Sequence, residues 1–429
     1  MTTRRQMLKG LGLSGVGLAS IATGLPISFL RNPRAHAAEP EMCPAADRQQ
    51  YLIFSGRDSG DPFNANVPGT YDDPDIVHPA GAAFAGTTFN LGGVQTKAAQ
   101  LWSTLPQWAL DRSAFVHHAT KTQVHGELVK VLQLLGDAYK AETIPSIFAK
   151  RLGPCLGSVA TQPVPVGDVT MSFEGRTLPR LKPTTLRELL VADDSPLLQL
   201  QSLRDQSMDK IRLTMRDELS TAQRAFVGNL AKAREDVRGM ADGAMDLLAD
   251  VTNDNPSSQI KAAVALIKLN LTPCVAISLP FGSDNHNDNG LQKEIDEHTT
   301  GIGYITELMN LLEANGLQDR VTFASINVFG RTLMRDGTSG RSHWSSHHVT
   351  MMTGKYVNPG VMGGVEREGA DYSALPIDSN TGAGTPDGDI SYEDGLPSMA
   401  KTLGAVLGLD DAVLDEEVLK GKVIRAAVA

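Results

Sequence analysis

The sequence predicts an α/β protein built on a doubly wound, mostly parallel sheet, with a helical segment packed on one side. Three observations carry this. Short apolar runs alternate with stretches of helical periodicity, the pattern of strands joined by crossover helices. Between about residues 184 and 268 that alternation stops, and Leu, Met and Ala recur at three- and four-residue spacing. The chemistry-bearing clusters then fall directly after apolar runs, where a parallel sheet delivers its loops to one edge.

Taken in order, residues 51–54 (Tyr-Leu-Ile-Phe) are the first strand and run into the turn Asp58-Ser59-Gly60-Asp61. Pro, Gly, Asn and Asp dominate from there to about residue 94, so that stretch is loop-rich. Residues 98–110 read as a helix kinked at Pro106. A second strand spans 114–118, and a helix over 126–139 sets Leu128, Val131, Leu132 and Leu135 on one face. After the helical segment come a strand at 274–279, a helix at 291–315 and a strand at 321–328. A long Gly/Ser loop, a strand at 347–353 and a helix at 396–408 complete the domain.

Ahead of the domain, Arg4 and Arg5 stand in Thr-Arg-Arg-Gln-Met-Leu-Lys, the pattern of a twin-arginine export signal. A weakly apolar, Gly-rich stretch follows, then Ala35-His36-Ala37 as a small-x-small cleavage site. The expectation is a signal over 1–37, a mature domain over 38–429, and a periplasmic or secreted protein that engages the twin-arginine translocase during export. The alternative is an uncleaved anchor, but Gly and Ser dilute the apolar run and Pro26 interrupts it, so no stable membrane insertion is expected. Gly10, Gly12 and Gly15 spell a dinucleotide-binding fingerprint, yet they follow no strand and sit inside the signal.

Residues 1–37 hold five Lys/Arg and no Asp/Glu, so their removal takes the formal net charge from −10 to −15. An acidic chain is a poor partner for nucleic acid. The three cysteines, Cys43, Cys155 and Cys274, allow one bridge and one leftover thiol, and the apolar run around Cys274 marks it as a buried small hydrophobe. No haem, iron–sulfur or other organic-cofactor motif occurs, which leaves a redox enzyme only its export route as support.

Asp284 and His286 follow the 274–279 strand two residues apart. Carboxylate with imidazole is a ligand pair for a divalent metal, whose identity the residues leave open among zinc, manganese, magnesium and calcium; the same residues also make an ordinary Asn/Asp turn. His343, His347 and His348 form a second group. Neighbouring strand residues face opposite ways, so at most one of His347 and His348 can share a site with His343. Arg331, just past the 321–328 strand, can clamp an anionic ester oxygen or pair with an acidic neighbour to pin its loop. His125, ahead of the 126–139 helix, can help hold an anion there or simply cap the helix.

Residues 280–364 resemble the domain-of-unknown-function 1501 family, twin-arginine-exported proteins related to alkaline phosphatases and sulfatases. The likeness is carried by Gly282, Asp284 and His286, then Phe329, Gly330, Arg331 and Thr332, then His343, then Gly363 and Gly364. The chain departs from the family at Ser283 (for Trp), Val328 (for Glu) and Ser342 (for Asp). The resemblance implies an alkaline-phosphatase-like fold and a metal-dependent hydrolase of phosphate or sulfate esters, acting on small-molecule or polysaccharide substrates. It implies a metal set of Asp284, His286, His343 and His347 with Asp58 or Asp61, and Ser59 as nucleophile with Arg331 and His125 beside it. Because two carboxylates are replaced, at most one tightly held metal is expected. The competing expectation is an exported binding or assembly protein that keeps the scaffold with an eroded site.

Overall fold

The computed structural model describes residues 43–60, 63–190, 210, 243–280, 284–335, 337 and 339–429. The expected export signal, Asp61, and residues 191–209 and 211–242 of the expected helical stretch lie outside the described residues.

A seven-stranded sheet forms the centre. Its strands are β1 (Tyr51–Arg57), β2 (Ser113–His118), β3 (Val164–Pro165), β4 (Cys274–Ile277), β5 (Val321–Asn327), β6 (His348–Thr353) and β7 (Gly360–Met362), in the spatial order β7-β2-β6-β5-β1-β4-β3. β1 pairs in parallel with β4 and β5, β3 with β4, and β7 with β2. β6 alone runs against its neighbours, β2 and β5. The sheet is therefore mostly parallel, as the alternating pattern predicts.

Successive side chains of β1 face opposite cores, the pleat's period of two made visible. Tyr51 and Ile53 join one cluster with α3 (Pro256–Lys268) and α4 (Gln292–Ala314); Leu52 and Phe54 join the other with α1 (Ile144–Leu156) and α5 (Gly395–Val406). Leu186 of α2 (Pro183–Leu190) and Leu248 belong to the first cluster, so the described parts of the helical stretch lie on one face of the sheet. α3 starts where Asn255 accepts a hydrogen bond from the Ser258 N–H, with Pro256 in the first turn. α4 is opened by Asp288, whose carboxylate accepts from the Lys293 and Glu294 N–H groups at 2.9 and 3.1 Å.

Two helices differ from expectation. Pro106 splits rather than kinks the first, leaving a 3-10 turn (Gln100–Thr104) and a single α-turn (Gln107–Leu110). The 126–139 helix ends at Leu132, because Leu134 and Leu135 adopt positive φ; Leu134 is then buried and Leu135 left 37% exposed. Cys43 is bonded to Cys155 at the end of α1 across 112 residues, and Cys274 is a free, buried thiol. No helix among the described residues is long and apolar enough to cross a membrane.

Candidate metal centre

The strand directions bring the ends of β1, β2, β4 and β5 and the start of β6 to one edge. Each end feeds a loop, and the loops are tied together. The Thr120 and Lys121 N–H groups donate to the Ser345 carbonyl, and the Gly340 N–H donates to the His286 carbonyl at 2.9 Å. Gly340 is required there, since a Cβ would lie 1.6 Å from the Asn285 carbonyl oxygen.

At the centre of this edge stand His125, Asp284 and His343, whose ligand atoms all lie within 4.8 Å of one another. The His125 and His343 Nε2 atoms are 3.1 Å apart, and His343 Nε2 is 3.8 Å from Asp284 Oδ1. Their outer nitrogens are anchored to backbone. His125 Nδ1 lies 2.5 Å from the Asp58 carbonyl oxygen and His343 Nδ1 2.7 Å from that of Gln123. A carbonyl can only accept, so in each neutral ring Nδ1 carries the proton and Nε2 is left with a bare lone pair. Two lone pairs that face each other at 3.1 Å repel unless a proton or a cation lies between them. Burial, joined by the nearby Arg331, His125 and His286, holds His343 below its usual pKa, which disfavours the proton. A tetrahedral ion bound to imidazole at ~2.0–2.1 Å sets its ligands roughly 3.3 Å apart, close to the separation seen. These residues can hold a metal ion.

Phe329 forms the floor. It stacks on the His343 ring at 4.3 Å between centroids and meets His125 edge-on at 4.8 Å, so both imidazoles are oriented by packing as well as by hydrogen bonds. Asp284 sits at the mouth with its side chain 61% exposed. Burial alone would raise its pKa, but His286, Arg331, His343 and His125 together more than offset that and hold it low. His286 Nε2 is 3.1 Å from Asp284 Oδ1, on the outer side of the cluster and 40% exposed.

Other expected residues take different roles. Arg331 is 3% exposed; Nη1 donates to Asp284 at 3.4 Å and Nη2 to the Ser59 carbonyl at 2.8 Å. It pins the loop and is too enclosed to clamp a substrate oxygen. The Ser59 hydroxyl accepts from Arg57 Nε at 3.0 Å, and Asp58 reaches the cluster through its carbonyl rather than its carboxylate. His347 turns away: it is wholly buried, with Nε2 2.9 Å from His117 Nδ1, and His117 Nε2 donates to the Pro68 carbonyl. His348 points to the opposite side against His118, with ring centroids 5.1 Å apart. Val328, where the resembling family has Glu, is buried in the core.

One supporting group is invisible to motif reading. Arg341 and Glu294 form a buried ion pair, with Nε to Oε2 at 2.7 Å and Nη2 to Oε1 at 3.2 Å. Asn66 donates to the same carboxylate at 2.7 Å, while Arg341 also donates to the Thr332 and Leu333 carbonyls. Burial alone would raise the Glu294 carboxyl, and Arg341 reverses that and holds it low. The pair locks the loop that carries His343 to the helix just after Asp284. An Arg 341 in a Gly/Ser loop was the sequence's only trace of it.

No protein-family model matches the chain, and no curated protein matches it. The crystal structure of Ps i-CgsB is similar over 87% of this chain and 75% of its own, at 10% identity and a TM-score of 0.33, too loose a likeness to bear on function.

Proposed function

We propose that the chain is an exported hydrolase that uses one metal ion, held by His125, Asp284 and His343, to cleave phosphate or sulfate esters at the carboxyl edge of its sheet. The observation that carries this is the pair of imidazoles whose Nδ1–H groups are anchored to carbonyls while their bare Nε2 atoms converge beside a carboxylate. Second-partner bonds of this kind are how proteins fix metal-binding histidines. Two imidazole nitrogens at tetrahedral-edge spacing, with a single carboxylate at 3.8 Å from one of them, favour a zinc-class ion over magnesium or calcium, which prefer more oxygen ligands. Three ligands and an exposed mouth leave a coordination position open, the arrangement of catalytic rather than structural sites. Such an ion supplies Lewis acidity and lowers the pKa of a coordinated water.

The chain's own residues supply the rest. Arg331 fixes the Asp284 carboxylate from beneath. His286 stands at the mouth, where an imidazole can pass a proton to a departing ester oxygen. Ser59 is not among the clustered ligand groups and its hydroxyl accepts from Arg57, so water is the nucleophile in this reading. The Cys43–Cys155 bridge supports export, since disulfides persist in oxidising compartments.

The test is hydrolysis of p-nitrophenyl phosphate and sulfate by mature protein stripped of metal and then given zinc or manganese. Metal-dependent turnover is expected, falling at least ~100-fold in His343→Ala. Tight metal binding with no turnover of either ester would favour the binding-protein reading instead.

A further inference from the structure

The turn after β1 attracts attention in the sequence for its Asp and Ser side chains. In the structure it works through its backbone. The Asp58 carbonyl accepts from His125 Nδ1, and one peptide later the Ser59 carbonyl accepts from Arg331 Nη2, whose other arm reaches Asp284. Two metal-ligand candidates from different loops are thus held by consecutive carbonyls of a single turn.

That turn is in turn held by Asn327, the last residue of β5, which is 1% exposed. Its Oδ1 accepts from the Gly60 N–H at 3.0 Å and the Val328 N–H at 2.9 Å, and its amide donates to the Gly60 carbonyl. The Asn327 N–H donates to His348 Nε2 at 2.9 Å, which ties the residue to β6. The Ser59–Gly60 peptide is therefore gripped from both ends, by Arg331 at its oxygen and by Asn327 at its nitrogen. Gly60 is needed for this, with φ at 105° and Arg331 Nε only 2.5 Å from where a Cβ would stand.

We infer that Asn327 is a positioning residue of the metal centre: by fixing the 58–60 turn it sets the Nδ1–H tautomer of His125 and the placement of Asp284. This rests on the metal reading proposed above. An amide is the side chain that can offer an acceptor to one backbone N–H and a donor to the adjoining carbonyl at once. Asn327 acts through the Asp58 carbonyl, the outer partner of His125, and losing an outer partner of a ligand typically costs roughly 10–100-fold in metal affinity.

The experiment uses the mature chain and two readouts. Cobalt affinity is measured by chelator competition with the visible spectrum, and the His125 tautomer by 15N NMR of the metal-free protein. Asn327→Ala is expected to bind cobalt roughly 10–100-fold more weakly and to lose the single Nδ1–H tautomer of His125. Ile260→Ala, a core truncation under the opposite cluster, is expected to lower the melting temperature without moving either readout. If Asn327→Ala does not fold, Gly60→Ala disturbs the same turn from its other side and carries the same expectation. A folded variant with unchanged cobalt affinity and an unchanged His125 signal would overturn the inference. Wild-type protein that binds no cobalt would sink the metal reading, and the tautomer readout would still decide the role of Asn327.

Discussion

At pH 5 the protein is expected to be less stable than at pH 7 by at least about 3 kcal/mol, a large part of the 5–15 kcal/mol typical of a domain. The cause is the paired histidines across β2 and β6. Burial pushes His117 and His118 down to about 4, and burial together with neighbouring histidine charge pushes His347 and His348 well below their usual range. In the unfolded chain each titrates near 6.5. Between about pH 6.5 and 4 the unfolded state therefore binds protons that the folded state refuses, so stability is full above that window and falls as the pH drops through it. For His117 and His118 alone the loss at pH 5 is about 2 kcal/mol each. Asp371 acts the other way: burial raises it to about 6, so its protonation returns roughly 1.5 kcal/mol at the same pH. Urea unfolding at pH 7.5 and pH 5 checks this, and an equal midpoint at both would show that these rings are not buried as neutral groups.

The second large effect belongs to Glu294. Its substitution by Ala leaves the Arg341 guanidinium, with a side chain 2% exposed, without its carboxylate, and breaking a buried pair from one side typically costs about 3–5 kcal/mol. Asn66 loses its acceptor as well. Because the pair ties the loops carrying Asp284 and His343, metal affinity is expected to fall along with stability. Replacing both partners by apolar residues of similar volume should restore much of the stability but not the affinity. A urea series on the single and double variants, with cobalt binding on each, reads both. A single variant within about 1 kcal/mol of wild type would contradict the account.

The strands of the central sheet are legible because their signal is local. Leu52–Phe54 and Val275–Ile277 are continuous apolar runs bounded by turn residues, as strands buried on both faces must be. β3 and β7, of two and three residues, are too short to show a period, and the reversal of β6 depends on which strand it meets. The Leu128–Leu135 pattern fits a helix, but a positive-φ turn that buries Leu134 in place of Leu135 overrode it.

The candidate site divides the same way. Asp284, His286 and His343 stand out as residue types after apolar runs. What joins His125 and His343 is carbonyl oxygen from Asp58 and Gln123, and every residue has a carbonyl, so nothing in the composition of those positions announces the bond. The side chains of Asp58 and Ser59 look like the chemistry while their peptide groups make the contacts. His347, adjacent to a plausible ligand group, is instead consumed by His117 from the neighbouring strand, a pairing set by the register of β2 against β6.

Calorimetric titration of the metal-free protein with zinc at pH 7.5 is the decisive test of the metal centre. One ion per chain is expected, with affinity at least ~100-fold weaker in each of His125→Ala, Asp284→Ala and His343→Ala, and unchanged ligation in His347→Gln. No binding by the wild-type chain, or binding that survives all three substitutions, would contradict it.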